Sequence, residues 1–289
     1  MISIQTIQAY SSNFKEWMNE GVVGYIHSIY QHTINVLTPK GLLSLQDQST
    51  PMTSLSVNIR LSSSLFQDLK LQVQDPVVIN STGIQVRHYH FLLHNAECFE
   101  CTLEPSSGLT HTQKHQLIQD VFDIIDDTEF GKVIRRIIHN DVQVLSPLGQ
   151  HAHLLLKDLD TTASHDQWLH AIQQLIGFGP GLTPSGDDFI SGILSAMTFE
   201  GPELKHAELY RAIIDTVLHH RHETTVVSSA FLEHASQKKF SRAIHELFYT
   251  YLQNQRSQEI IERIKQIGHT SGTDFLSGLV FGLVKGGGV

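Results

Sequence analysis

Gly177-Phe178-Gly179-Pro180-Gly181-Leu182-Thr183-Pro184-Ser185-Gly186-Asp187-Asp188 packs four glycines, two prolines, two hydroxyl residues and two adjacent aspartates into one short stretch. An apolar run at helical spacing follows at once, with Phe189, Ile190, Ile193, Leu194 and Met197. This reads as a shaped loop feeding a helix start. Glycine admits backbone conformations closed to other residues, and proline fixes the turns between them. The first N–H groups of a helix have no intrahelical partner, so such a start suits an anion. Two aspartates are out of place for plain anion binding and point to a cation as well, either a metal or a protonated substrate group.

The signal recurs near the C-terminus. Ser271-Gly272-Thr273-Asp274-Phe275-Leu276-Ser277-Gly278 repeats Ser185-Gly186-Asp187-Asp188-Phe189-Ile190-Ser191-Gly192 in the frame Ser-Gly-x-Asp-Phe-x-Ser-Gly, without a gap. Two helices with the same start and the same small-residue face are expected to pack as a pair, their N-termini at one place. The plain reading of Ser185-x-x-Asp188 and Ser271-x-x-Asp274 is a capping box at each helix, stabilising by about 0.5–2 kcal/mol. The density of glycine and proline ahead of the first copy, the extra carboxylate of Asp187 and the repetition point beyond capping.

Outward from these copies the C-terminal half is helical in period. Helices are predicted over 115–126, 130–139, 168–176, 209–220, 226–235, 243–252, 260–267 and 274–284. Pro147-Leu148-Gly149 reads as a break, and Lys285 with its three following glycines as a frayed tail. Before Pro105-Ser106-Ser107-Gly108 the period is two. Strands are predicted at 22–30, 33–38, 42–45, 55–61, 77–79, 84–91 and 98–103, after an entry segment to about residue 20 that carries Phe14, Trp17 and Met18. The expected architecture is α+β. A β-rich domain, a small barrel or sandwich, covers 1–105, and a mainly helical domain carrying the glycine loop covers 106–289.

The 289 residues, 17% of them charged, have a globular composition, and the net charge of -9 argues against nucleic-acid or anionic-membrane binding. No apolar run reaches membrane-spanning length, and Met1-Ile2-Ser3-Ile4 does not read as a secretory signal, so a cytoplasmic location is expected. Cys98-x-x-Cys101 stands alone, without the second pair that a zinc site needs. His219-His220-Arg221-His222-Glu223 lacks metalloprotease spacing and reads as a solvated helix end.

As a site, the backbone N–H groups of Gly186 and Asp187 would hold a phosphate or carboxylate, with Thr183 and Ser185 as further donors. Asp187, Asp188 and Asp274 would hold Mg²⁺, bind a substrate amide or act as general base; the residue types admit all three. Thr224 and Ser228, four apart on a predicted helix, would add a third wall.

The stretch at 177–188 resembles the hallmark of the AllH-like family. The resemblance continues through Thr224-x-x-x-Ser228-x-x-x-Leu232-x-x-Ala235 and Gly268-His269-Thr270-Ser271-Gly272-Thr273-Asp274. It departs after Ala235, where Ser236-Gln237-Lys238-Lys239 stands in place of an expected glycine. The family includes a subunit of a bacterial oxamate carbamoyltransferase from allantoin breakdown. That enzyme interconverts oxalurate and phosphate with oxamate and carbamoyl phosphate, and is built from several different subunits. The resemblance implies carbamoyl chemistry on small anionic substrates, with partner subunits. The reading of the residues agrees with it: catalysis is expected at Asp187, Asp188 and Asp274, with Asp187 and Asp188 as metal ligands if Mg²⁺ takes part, and substrate binding at Gly179, Gly181, Thr183, Ser185, Gly186, Thr224, Ser228, Ser271 and Gly272. Two alternatives remain: a non-catalytic metabolite-binding subunit, and a metal-dependent hydrolase or phosphotransferase.

Overall fold

The computed structural model describes residues 3–106, 108–125, 128–142, 144–160, 162–201 and 207–286. Ser107, Asp126, Gly287 and Gly288, which fall in the ranges read from the sequence, lie outside these. The chain divides into two compact units, 1–101 and 102–289.

The first unit is an eight-stranded barrel. Its strands are β1 (Ser3–Ser11), β2 (Val22–Ile29), β3 (Thr33–Thr38), β4 (Gly41–Gln46), β5 (Ser56–Ile59), β6 (Pro76–Asn80), β7 (Gly83–Val86) and β8 (Tyr89–Leu92). They pair in the order β5-β4-β3-β2-β6-β7-β8-β1, and β1 closes the ring antiparallel to β5. A short β9 (Glu97–Phe99) runs parallel to the end of β1. Closure removes the open sheet edges that would otherwise template aggregation. Alternate residues point inward, among them Ile34 and Val36 on β3, Leu43 and Leu45 on β4, and Val77 and Ile79 on β6. The helix α1 (Lys15–Glu20) buries Trp17 and Met18, and Phe14 just before it meets Trp17 edge-on, ring centroids 4.9 Å apart. A second short helix, α2 (Ser63–Gln67), buries Phe66.

Two expectations for this unit are corrected. Residues 3–11 are not an entry segment but the strand that closes the barrel. Ser-Ile-Gln-Thr-Ile-Gln-Ala-Tyr-Ser carries polar residues at most positions, so it does not announce itself as a strand. The stretch 84–91 is not one strand but the hairpin β7–β8, turned at Arg87, whose φ is +52°.

The second unit is helical: α3 (His111–Ile124), α4 (Glu129–His139), α5 (Pro147–Leu156), α6 (His165–Leu175), α7 (Ser185–Glu200), α8 (Ala207–His220), α9 (Val226–Ser236), α10 (Arg242–Leu252), α11 (Gln258–Lys265) and α12 (Ser271–Phe281). Pro147-Leu148-Gly149 does not break a helix; it begins one. Ser146 caps α5 by accepting the Gly149 N–H, and Pro147 sits in the first turn, where its missing N–H costs nothing. Lys285 and Gly286 are not a frayed tail: α12 runs on into a π-helical turn at Gly282–Gly286. Both α7 and α12 are buried almost all round, which places them at the centre of the unit. No helix among the described residues is long and apolar enough to cross a membrane.

Candidate functional site

The repeated frame builds a helix pair. On the backbone of Gly192 a Cβ would lie 2.1 Å from the carbonyl oxygen of Phe275, and on Gly278 it would lie 1.9 Å from that of Phe189. The two glycines occupy equivalent places in the two copies, as do the two phenylalanines. Further along, a Cβ on Gly282 would meet Ala196 Cβ at 2.9 Å. The helices α7 and α12 therefore run side by side, starts together, in backbone contact, as the small-residue stripes predicted.

The starts themselves are not capping boxes. The cap of α7 is Pro184 and that of α12 is Thr270; neither makes a side-chain cap bond, and Ser185 and Ser271 are already helical. The serines and aspartates instead face across the pair. The Asp188 carboxyl faces the Ser271 and Thr183 hydroxyls, and that of Asp274 faces the hydroxyls of Ser185, Thr270 and Thr128. Thr183 Oγ1 and Ser271 Oγ lie 2.8 Å apart, tying the glycine loop to the second helix. A local pairing rule, read within one helix, thus becomes an exchange between two.

Asp187 has a different task. Its Oδ1 accepts the Gly177 N–H at 2.8 Å, and its Oδ2 accepts the Thr224 and Ser228 hydroxyls at 2.5 and 2.6 Å. It is 1% exposed and fully engaged by protein donors, locking the loop to the start of α9. Burial raises its pKa, against those three hydrogen bonds. Thr224 is not on the helix, as its spacing suggested. It is extended, and Thr225 is the cap, accepting the Ser228 N–H and donating to the Leu182 carbonyl.

Asp274 and Asp188 are left with free acceptors. Asp274 is 1% exposed, yet neither of its oxygens makes a hydrogen bond of ordinary geometry among the described residues. Asp188 Oδ2 is likewise buried and without a partner. Native proteins pair nearly all such groups, so three orphaned oxygens at one junction call for an explanation. Burial pushes the Asp188 carboxyl well above its usual range, reinforced by the charges of Asp274 and Asp187. Burial also raises Asp274, to about 6, against the nearby hydroxyls.

The glycines divide by task. Gly186 and Gly272 are packing residues. A Cβ on them would lie 2.1 Å from Leu175 O and 2.0 Å from Ile264 O, and their N–H groups donate to Phe178 O and Ile267 O. The Asp187 N–H donates to Pro184 O. The expected anion cradle at the Gly186 and Asp187 N–H groups is therefore corrected: both donors are used inside the protein. Gly179 has φ +113° and turns the loop against the Ser185 N–H; Gly181, at φ +104°, is exposed. Phe178 anchors the loop by meeting Phe130 of α4 edge-on and stacking on His151 of α5, ring centroids 6.3 and 5.5 Å away.

Among the described residues, no group of three or more histidine, cysteine, aspartate or glutamate side chains is placed to share a metal ion, and Asp187, one of the two expected Mg²⁺ ligands, turns both oxygens to other partners. Thr128 and Thr270 escaped the sequence reading. Thr128 caps α4 by accepting the Gly131 N–H at 3.1 Å. Its signal was legible as a threonine just ahead of the apolar run from Phe130. Thr270 occupies the place in the second copy that Pro184 holds in the first.

Fold and site together define a class: an eight-stranded barrel unit followed by a helical unit whose centre is a duplicated Ser-Gly-x-Asp helix pair with buried acids at its head. Two family models match the chain, the AllH family N-terminal domain over residues 3–98 and the oxamate carbamoyltransferase subunit AllH over residues 175–283. The chain belongs to the AllH family, and its coarse function is that of a carbamoyltransferase subunit. No solved structure matches it.

Proposed function

We propose that this chain is the subunit of an oxamate carbamoyltransferase that holds the small anionic substrate at the head of the α7–α12 pair, working with other subunits. One observation carries the reading: a junction of two repeated helix starts where Asp188 and Asp274 keep buried oxygens without partners. A carboxyl raised to about 6, as that of Asp274 is, takes or gives a proton near neutral pH, and burial holds the Asp188 carboxyl above its ordinary range as well. The hydroxyls of Thr183, Ser185 and Ser271 supply donors beside them, for a substrate carboxylate or phosphate and for the oxyanion that forms as the carbamoyl group transfers. Asp187 serves as a positioning residue through Gly177, Thr224 and Ser228.

Calorimetric titration of carbamoyl phosphate, phosphate and oxamate into the wild-type chain and Asp188→Asn tests this. Saturable binding that the variant weakens supports it. Binding left unchanged by the variant, together with full turnover alongside the partner subunits, would reduce the site to a structural feature of a metabolite-binding subunit.

A further inference from the structure

Three buried carboxyl oxygens lack partners at the head of the α7–α12 pair: both of Asp274 and Oδ2 of Asp188. Asp274 is 1% exposed, so bulk water is not its partner. Carboxyl oxygens accept hydrogen bonds, and a protonated carboxyl also donates one. A bare phosphate or carboxylate offers only acceptors, so it leaves such oxygens unsatisfied and adds like charge beside them. A primary amide offers the complement: two N–H donors and one carbonyl acceptor.

Resting on the carbamoyltransferase reading, we infer that Asp188 and Asp274 are the specificity residues that recognise the –C(=O)NH2 end of the substrate, leaving its carboxylate or phosphate end to the hydroxyls around them. The two acids lie on equivalent positions of the repeat and face the same junction, each across from the other helix's serine. Between them they can accept both N–H groups. Asp188, which burial favours as the neutral acid, can also donate to the carbonyl. Thr128 is a positioning residue for Asp274: its oxygen accepts the Gly131 N–H, which fixes the hydroxyl beside the carboxyl without a hydrogen bond of ordinary geometry to it.

Two isosteric ligand pairs test the assignment without any substitution. Acetyl phosphate is carbamoyl phosphate with CH3 in place of NH2, and pyruvate stands in the same relation to oxamate. A site built on buried amide acceptors rejects the methyl isostere strongly, so dissociation constants of the full-length chain are expected to differ by about 100-fold or more within each pair. Asp274→Asn, which replaces one acceptor by a donor, should shrink that ratio while thermal melting shows the fold intact. Methyl isosteres that bind within about threefold of their amides overturn the amide assignment and leave the functional reading standing. Failure of all four ligands to bind overturns the functional reading, and the assignment with it.

Discussion

The carbonyl oxygen of Phe275 occupies the space beside Gly192 where a side chain would begin, and Phe189 does the same to Gly278. This reciprocal contact is what lets two helices from distant parts of the chain run in backbone contact and bring their starts together.

Alanine at either glycine should therefore force the pair apart. Gly192→Ala and Gly278→Ala are each expected to destabilise by about 1–3 kcal/mol, because the facing atoms are backbone and cannot swing away. Thermal melts of both variants check this. Gly181→Ala is the control: nothing lies within 4 Å of the added carbon, so its cost is limited to the backbone strain at φ +104°. Equal melting of all three variants would contradict the packing account.

Asp274→Asn should stabilise the protein at neutral pH. The native carboxyl has its pKa raised by burial to about 6, from an ordinary value of 3.8. The folded state thus binds the proton more tightly than the unfolded state. The stability this group contributes is fully present below pH 3.8 and is lost as pH rises through about 6. Above that the ionised form costs on the order of 3 kcal/mol, which the amide relieves. Urea denaturation should show the gain near pH 7.5 and its disappearance by about pH 4. A gain that does not vary with pH would rule out the buried charge as its origin. Stabilisation coupled to lost ligand binding is the usual sign of a functional residue.

Asp187 should respond in the opposite direction, although it is the same residue type one position from Asp188. Asp187→Ala strands the Gly177 N–H and the Thr224 and Ser228 hydroxyls, a loss of about 3 kcal/mol. The Gly177 amide should then exchange its hydrogen faster with solvent, and this is measurable by native-state hydrogen exchange. Unchanged protection there would show that Asp187 does not hold the loop.

Thr128→Val removes a cap and a hydroxyl at once. Loss of the bond to Gly131 should cost about 0.5–2 kcal/mol. The hydroxyl also lowers the Asp274 pKa, so its removal should raise that titration further. Carbon-13 NMR of the Asp274 carboxyl follows it directly; Thr128→Ser should behave as wild type in both respects.

Much of this was legible in the residues themselves. The glycine and proline content of 177–184 marked the loop, the apolar period marked α7, and the second Ser-Gly-x-Asp-Phe-x-Ser-Gly marked α12 and its partner at once. Alternation marked β3, and the turn at Pro39-Lys40-Gly41 marked β4 after it, a neighbour close in the chain. These are properties of a few consecutive residues, and a chain states them directly. The nine residues of β1 are strand only because β5 and β8 flank them, and those partners lie about fifty and nearly ninety residues away. Ser185 and Asp188 have the spacing of a cap, but their hydroxyl and carboxyl turn to α12. Which of two adjacent aspartates is tied down and which keeps free acceptors depends on which helix each one meets. Local rules set the elements and the repeat; close packing of distant helices, which no short window of sequence contains, set the partners and therefore the chemistry.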